Sequence, residues 1–123
     1  MTQEVVDLLA QVNRVADPAN MTDMEKKHYP VIMCPESVEA GEPFECTVHI
    51  GRHMEHPNEP AHHIEFIDLY LDRIFLCRAD LQAKKCEPKV TFNIALPRSG
   101  ALRAYGSCNI HGVWTSEKEI TER

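Results

Sequence analysis

Three separated pieces of the chain carry side chains able to ligate a metal. They are "EKKHYP" with His28, "GRHMEHPNEPAHHIEF" with His53, His56, His62 and His63, and "CNIHGVW" with Cys108 and His111. The middle piece holds four of the seven histidines within eleven positions, and imidazole is the commonest metal ligand among side chains. A thiolate and an imidazole three residues apart, turned by Gly112, can point at one metal. A lone C-x-x-H is weak evidence of a site. Its company in one small chain makes it strong.

Local chemistry narrows the middle piece. Pro57 pushes His56 towards extended backbone, so His56 is held rather than loose, and Pro60 breaks the loop again before His62 opens a strand. Successive strand residues face opposite ways, so only one of His62 and His63 can reach a given metal. His53 lies beyond the rigid part and reads as a solvated loop residue. His49 reads as an exposed side chain on the polar side of an alternating strand. Imidazole suits iron, zinc, copper or nickel, so the metal itself stays open at this level.

The elements that must position these pieces are mostly strands. "PFECTVHI" alternates Phe44, Cys46, Val48 and Ile50 against Glu45, Thr47 and His49. "HIEFIDLYL" is apolar on both faces, as a central strand should be. With "YPVIM", "ESVEA", "RIFLCRA", "KVTFNIAL", "ALRAYGS" and "VWTSEKEI", the pattern predicts about seven strands in an all-β, immunoglobulin-like antiparallel β-sandwich. Val5, Val6, Leu8, Leu9 and Val12 have helical spacing, which predicts a short helix over residues 3 to 15. Thr22 and Glu25 have capping-box spacing and predict one further helical turn. The expected organisation is an N-terminal helical arm over residues 1–25 and a metal-binding β domain over residues 26–123.

Composition bounds the rest. At 123 residues and a formal charge of −6, the chain suits one domain with its own core and makes nucleic acid or an anionic membrane surface a poor partner. No apolar run is long enough to span a bilayer, and "MTQEVVDLLAQVNR" does not read as a signal peptide. The five cysteines are odd in number and form no C-x-x-C pair, which predicts a reducing cytoplasm rather than a disulfide framework or a zinc ribbon. Cys34, Cys46 and Cys77 read as small core or loop residues, and Cys86 in "AKKCEP" as an exposed, reactive thiol.

"EKKHYPVI", "HPNEPAHHIEFIDLY" and "CNIHGVW" together resemble the catalytic domain of superoxide reductases, the neelaredoxin and desulfoferrodoxin group, from about Glu25 to Ile120. The resemblance implies a sandwich holding one mononuclear non-haem iron. Its equatorial ligands would be His28, His56, His62 and His111, and its axial ligand Cys108, with the sixth position open. His63 is not a ligand in that pattern. The implied reaction is the one-electron reduction of superoxide to hydrogen peroxide, with Fe(2+)/Fe(3+) re-reduced by a rubredoxin-like or other small donor. An axial thiolate pushes electron density towards the position opposite, which suits that chemistry. Homodimers or homotetramers are also implied. Lys27 would guide the substrate anion, giving a local positive charge against a net negative surface.

One departure stands out. The family pattern often places glutamate two residues before the first histidine, but Lys26 is there and Glu25 lies one earlier. Water or hydroxide, not a carboxylate, is therefore the expected sixth ligand of the oxidised centre. Phe66 stands where relatives often carry tryptophan, and Trp114 reads as packing near the C-terminal turn. The rivals are a cupredoxin-like electron-transfer protein and a non-catalytic metal-binding module. A blue-copper site uses two histidines, a cysteine and usually an axial methionine. No methionine follows His111, and there are two histidines too many.

Overall fold

A computed structural model describes residues 11–123. Among the described residues, nine strands and one helix follow in chain order: β1 (Val12–Arg14), α1 (Asp23–His28), β2 (Pro30–Met33), β3 (Ser37–Val38), β4 (Phe44–Ile50), β5 (Ile64–Leu71), β6 (Ile74–Asp80), β7 (Lys89–Ile94), β8 (Gly100–Cys108) and β9 (Gly112–Glu122). They form two sheets. The larger has the order β1-β9-β8-β5-β6 with β3 also on β9, and the smaller has the order β2-β4-β7. This is the expected β-sandwich.

The period-two pattern explains why the sheets stack. In β4, Cys46, Val48 and Ile50 are buried while Glu45 is exposed and Thr47 and His49 are half-buried. They meet Ile67, Leu69 and Leu71 of β5 and Leu102 and Ala104 of β8 in one apolar core. Each buried Val, Ile or Leu side chain among them contributes roughly 1.5–3 kcal/mol by leaving water. Strand β5 lies between β8 and β6; Ile67, Leu69 and Leu71 face the core, and on its other face Asp68 pairs with Arg78 of β6.

Two short pairings depart from a purely antiparallel scheme. Strands β1 and β3 both run parallel to β9, β1 at its start and β3 at its end. Together they cover an edge that would otherwise present unpaired backbone groups. The helix expected over residues 3 to 15 falls mostly outside the described residues, and its last part, Val12–Arg14, is strand. Three residues show too little periodicity to separate helix from strand, and the open edge of β9 decides. Asn13 adds side-chain donation to the carbonyls of Val113 (3.1 Å) and His111 (3.5 Å).

Topology carries the three ligand-bearing pieces to one end of the sandwich. Pro30 pairs with Ile50, so the start of β2, just after His28, lies beside the end of β4. Ile64 pairs with Cys108, and Cys108 pairs with Gly112, so β5 begins where β8 ends and β9 starts. The loop from Gly51 to His63 crosses the same end.

Candidate metal centre

His28 is the last residue of α1, whose start is fixed by the capping box anticipated from Thr22 and Glu25. The Glu25 N–H donates to Thr22 Oγ1 (3.2 Å), and the Thr22 N–H donates to Glu25 Oε1 (2.9 Å). At the other end of this helix the His28 ring turns inward, and its Nδ1–H donates to the Met24 carbonyl (2.7 Å). That bond fixes the tautomer and leaves the Nε2 lone pair facing the site. His56 repeats the device, with Nδ1–H donating to the Pro57 carbonyl (2.6 Å). Gly51 makes room for it. A Cβ at Gly51, where φ is +92°, would sit 2.9 Å from the His56 backbone nitrogen.

His62 is held by a two-way backbone bridge with Glu59, at 3.0 and 2.9 Å. Cys108 and His111 flank the tight turn between β8 and β9, where Gly112 takes φ +79°. The His111 N–H donates to Cys108 Sγ (3.4 Å), and the Ile110 N–H also faces the sulfur, as expected for groups that moderate a thiolate. His111 Nδ1 lies 3.8 Å from the same sulfur.

The four rings close a near-square. Neighbouring centroids are 4.8 Å apart for His28–His56, 4.8 Å for His56–His62, 5.0 Å for His62–His111 and 5.1 Å for His111–His28. Successive planes are steeply inclined, between 66° and 82°. The donor atoms of His28, His56, His62 and Cys108 lie within 4.8 Å of one another, so this group could hold a metal ion. The Nε2 atoms of His28, His56 and His62 are buried and have no hydrogen-bond partner among the described residues. Such orphaned acceptors are costly unless something satisfies them, and a cation at the middle of the square would do so. The donor set fits a transition metal.

Burial sets the protonation state. It pulls both His28 and His56 down to about 4, and it also lowers His62 and His111. The rings are therefore neutral at neutral pH, the state a metal requires. Burial pushes the Cys108 thiol up, and the N–H groups of His111 and Ile110 oppose that rise. Cys108, His28 and His56 are buried, whereas His62, His111 and Lys27 are half-buried, so the square has a protein side and a side nearer solvent. The Lys27 charge is near enough to disfavour protonation of His28, His62 and His111.

The other candidates fall outside the square. His53 is exposed, with its ring 6.2 Å from that of Tyr29. His63 is half-buried and lies outside the ring square, between the isolated bridge at His62 and the start of β5. His49 differs from expectation: it is half-buried and its Nδ1 is fully buried, because the loop before β5 folds back beside it. Cys86 is also half-buried against the core, and its carbonyl accepts from Asn58 Nδ2 (3.2 Å), so it is not the exposed thiol expected.

Two residues matter more than their sequence context suggested. Asn109 ties the Cys108 turn to the histidine loop, donating to the Ala61 carbonyl (3.0 Å) and accepting the His63 N–H (2.9 Å). Trp114 does pack near the turn, but its ring stacks directly on His28. Asparagine inside a C-N-x-H turn was the available signal for the first. Nothing local signalled the second.

Comparison with known proteins agrees with this geometry. A Methanocaldococcus jannaschii protein is 40% identical over 103 residues, covering 80% of this chain and 86% of its own length. The superoxide reductase of Pyrococcus horikoshii is 33% identical over 104 residues, covering 77% and 88%. The solved structure of the Ignicoccus hospitalis superoxide reductase (neelaredoxin) superposes with a TM-score of 0.80 at 33% identity, covering 96% of this chain and 98% of that one. The sequence model described as Desulfoferrodoxin matches residues 20–117, a span that takes in all four imidazoles and the thiolate, and the chain therefore belongs to the desulfoferrodoxin family.

Proposed function

We propose that this chain is a superoxide reductase, and that residues 26–123 form its iron-binding unit. The observation that carries this is the near-square of His28, His56, His62 and His111 with the Cys108 sulfur beside it. Five donors, four nitrogen and one sulfur, exceed the closed tetrahedral set of a structural zinc and suit mononuclear iron with an open position. Bound there, Fe(2+)/Fe(3+) would supply the electron that, with two protons, converts superoxide to hydrogen peroxide.

The protein's own residues supply binding and orientation. The Nδ1–H bonds of His28 and His56 to backbone carbonyls hold their Nε2 atoms on the centre without rotamer searching. Cys108 is the electron-rich donor from the buried side, and N–H donation from His111 tempers its basicity. The Lys27 charge bears on His28, His62 and His111 and would draw an anion towards the half-buried edge of the square against the net charge of −6. Glu25 is committed to the helix cap, which supports water or hydroxide rather than a carboxylate as the sixth ligand of the oxidised centre.

Family membership supports a small electron donor of rubredoxin type and a homodimeric or homotetrameric assembly. Five free thiols support a reducing, cytoplasmic setting, and no described helix is long and apolar enough to cross a membrane. The test is stopped-flow mixing of the reduced, iron-loaded protein with superoxide. One hydrogen peroxide per superoxide with loss of the ferrous state is the expected result. Half that yield with release of oxygen would indicate dismutation, and copper or zinc as the native metal would overturn the assignment.

A further inference from the structure

The opposite end of the small sheet carries a second sulfur constellation. Strand β2 pairs with β4 from Pro30↔Ile50 to Met33↔Thr47. Cys34 is the next residue, a bend just past that ladder, and one more step in the register would bring it opposite Cys46. The two also share a face: Cys46, Val48 and Ile50 point into the core, and Ile32 and Cys34 pack against the same cluster. Directly opposed residues on one face have Cβ atoms about 4.5–5.5 Å apart. A disulfide needs about 3.5–4.5 Å, so a small approach suffices. Cys34 can make it, because it lies just beyond the end of β2, before exposed Pro35 and Glu36.

The two thiols are unequal. Cys46 is fully buried, whereas Cys34 is half-buried and reachable from solvent. The neighbouring Cys46 thiol and the nearby Lys118 charge favour the Cys34 thiolate, and the Lys118 ammonium donates to the Cys34 carbonyl at 2.8 Å. Cys46 is pushed the other way, first by its Cys34 neighbour and then by burial. One sulfur is thus suited to attack and the other to resolve.

We infer that Cys34 and Cys46 form a peroxide-responsive dithiol that closes to a cross-strand disulfide. The Cys34 thiolate attacks one oxygen of hydrogen peroxide, the O–O bond breaks, and hydroxide leaves, giving a sulfenic acid on Cys34. The Cys46 thiol then attacks that sulfur, the S–O bond breaks, and water leaves. Two thiols lose two electrons, and one peroxide becomes two waters. The chemistry rests on the proposed function only for an internal source of the oxidant, since the dithiol itself needs nothing from the metal centre.

The test treats the iron-loaded, fully reduced protein with a roughly equimolar amount of added hydrogen peroxide, without superoxide. Acid quenching, alkylation under denaturing conditions and cleavage after glutamate follow. Glu36, Glu39, Glu42 and Glu45 lie between the two cysteines, so cleavage leaves them on separate peptides unless they are bonded. The expected result is a linked pair of peptides containing Cys34 and Cys46, with the other three thiols alkylated. Cys34→Ser should leave Cys46 alkylated after the same treatment, and Cys46→Ser should trap an oxidised Cys34 monomer. Full alkylation of both cysteines in the parent, a Cys46–Cys77 linkage, or overoxidation of Cys34 in place of the linkage would each overturn the dithiol. Because the oxidant is added directly, loss of superoxide reduction in the separate stopped-flow assay would not affect this outcome.

Discussion

Trp114 lies flat against His28, with ring centroids 4.9 Å apart and planes inclined by 20°, and its indole N–H donates to the His111 carbonyl at 3.0 Å. One side chain therefore braces two corners of the imidazole square that are far apart in sequence. Trp114→Phe keeps an apolar ring over His28 but removes the N–H. Metal affinity should fall about 10-fold, the lower end for loss of a partner that orients a ligand. Competition with a chelator measures this, and parent-like affinity would reduce Trp114 to packing.

Lys27 places a positive charge near the half-buried edge of the square, where it bears on His62 and His111. Lys27→Met should slow the bimolecular reaction with superoxide about 10-fold and flatten its dependence on ionic strength. Rates taken across a salt series are the check. An unchanged slope would show that another cation does the steering.

The metal-free protein should lose stability in mild acid. His28 and His56 are held down to about 4, below the ordinary 6.5, so the unfolded chain takes up their protons first. Their contribution is complete above about pH 6.5 and is lost as pH falls towards 4. It amounts to about 3 kcal/mol for each histidine. Urea midpoints of the metal-free protein at pH 7.5, 5.5 and 4 should decline in that order, and a midpoint constant across the series would contradict the burial of these rings.

Glu25 and Thr22 hold the helix that ends on His28. Glu25→Ala removes half of the capping box and should cost about 1 kcal/mol. The ferric charge-transfer band should stay where it is in the parent. A clear shift of that band would mean that Glu25 reaches the metal instead.

Gly51 lets the chain turn back beside His56. Gly51→Ala meets both a positive φ and the His56 backbone nitrogen at 2.9 Å, and it should destabilise the protein by about 1–3 kcal/mol. It should also weaken metal binding by moving His56. Unaltered thermal stability with full metal loading would show that the loop shifts without strain.

Much of the site was legible because its chemistry is local. Pro57 and Pro60 single out His56 and His62, though the strand expected to open at His62 begins only at Ile64. The C-N-x-H turn places Cys108 and His111 near each other without any long-range contact. The capping box before His28 was readable for the same reason. His49 was misjudged because its strand position says only which sheet face it occupies, and alternation carries no sign that the loop following its own strand, Gly51 to His63, folds back beside that face. Val12–Arg14 was misjudged because its partner is the edge of β9, about a hundred residues away.

By itself, then, the sequence determined the donor types, their order, the strand periods and the resemblance to an iron-binding sandwich, since these depend on neighbours a few residues apart. Only the tertiary structure decided which ring nitrogens face inward, that Trp114 covers His28, and that Cys34 neighbours Cys46. Each of these depends on the register between distant strands, and a slip of one residue there would turn the side chains to opposite faces.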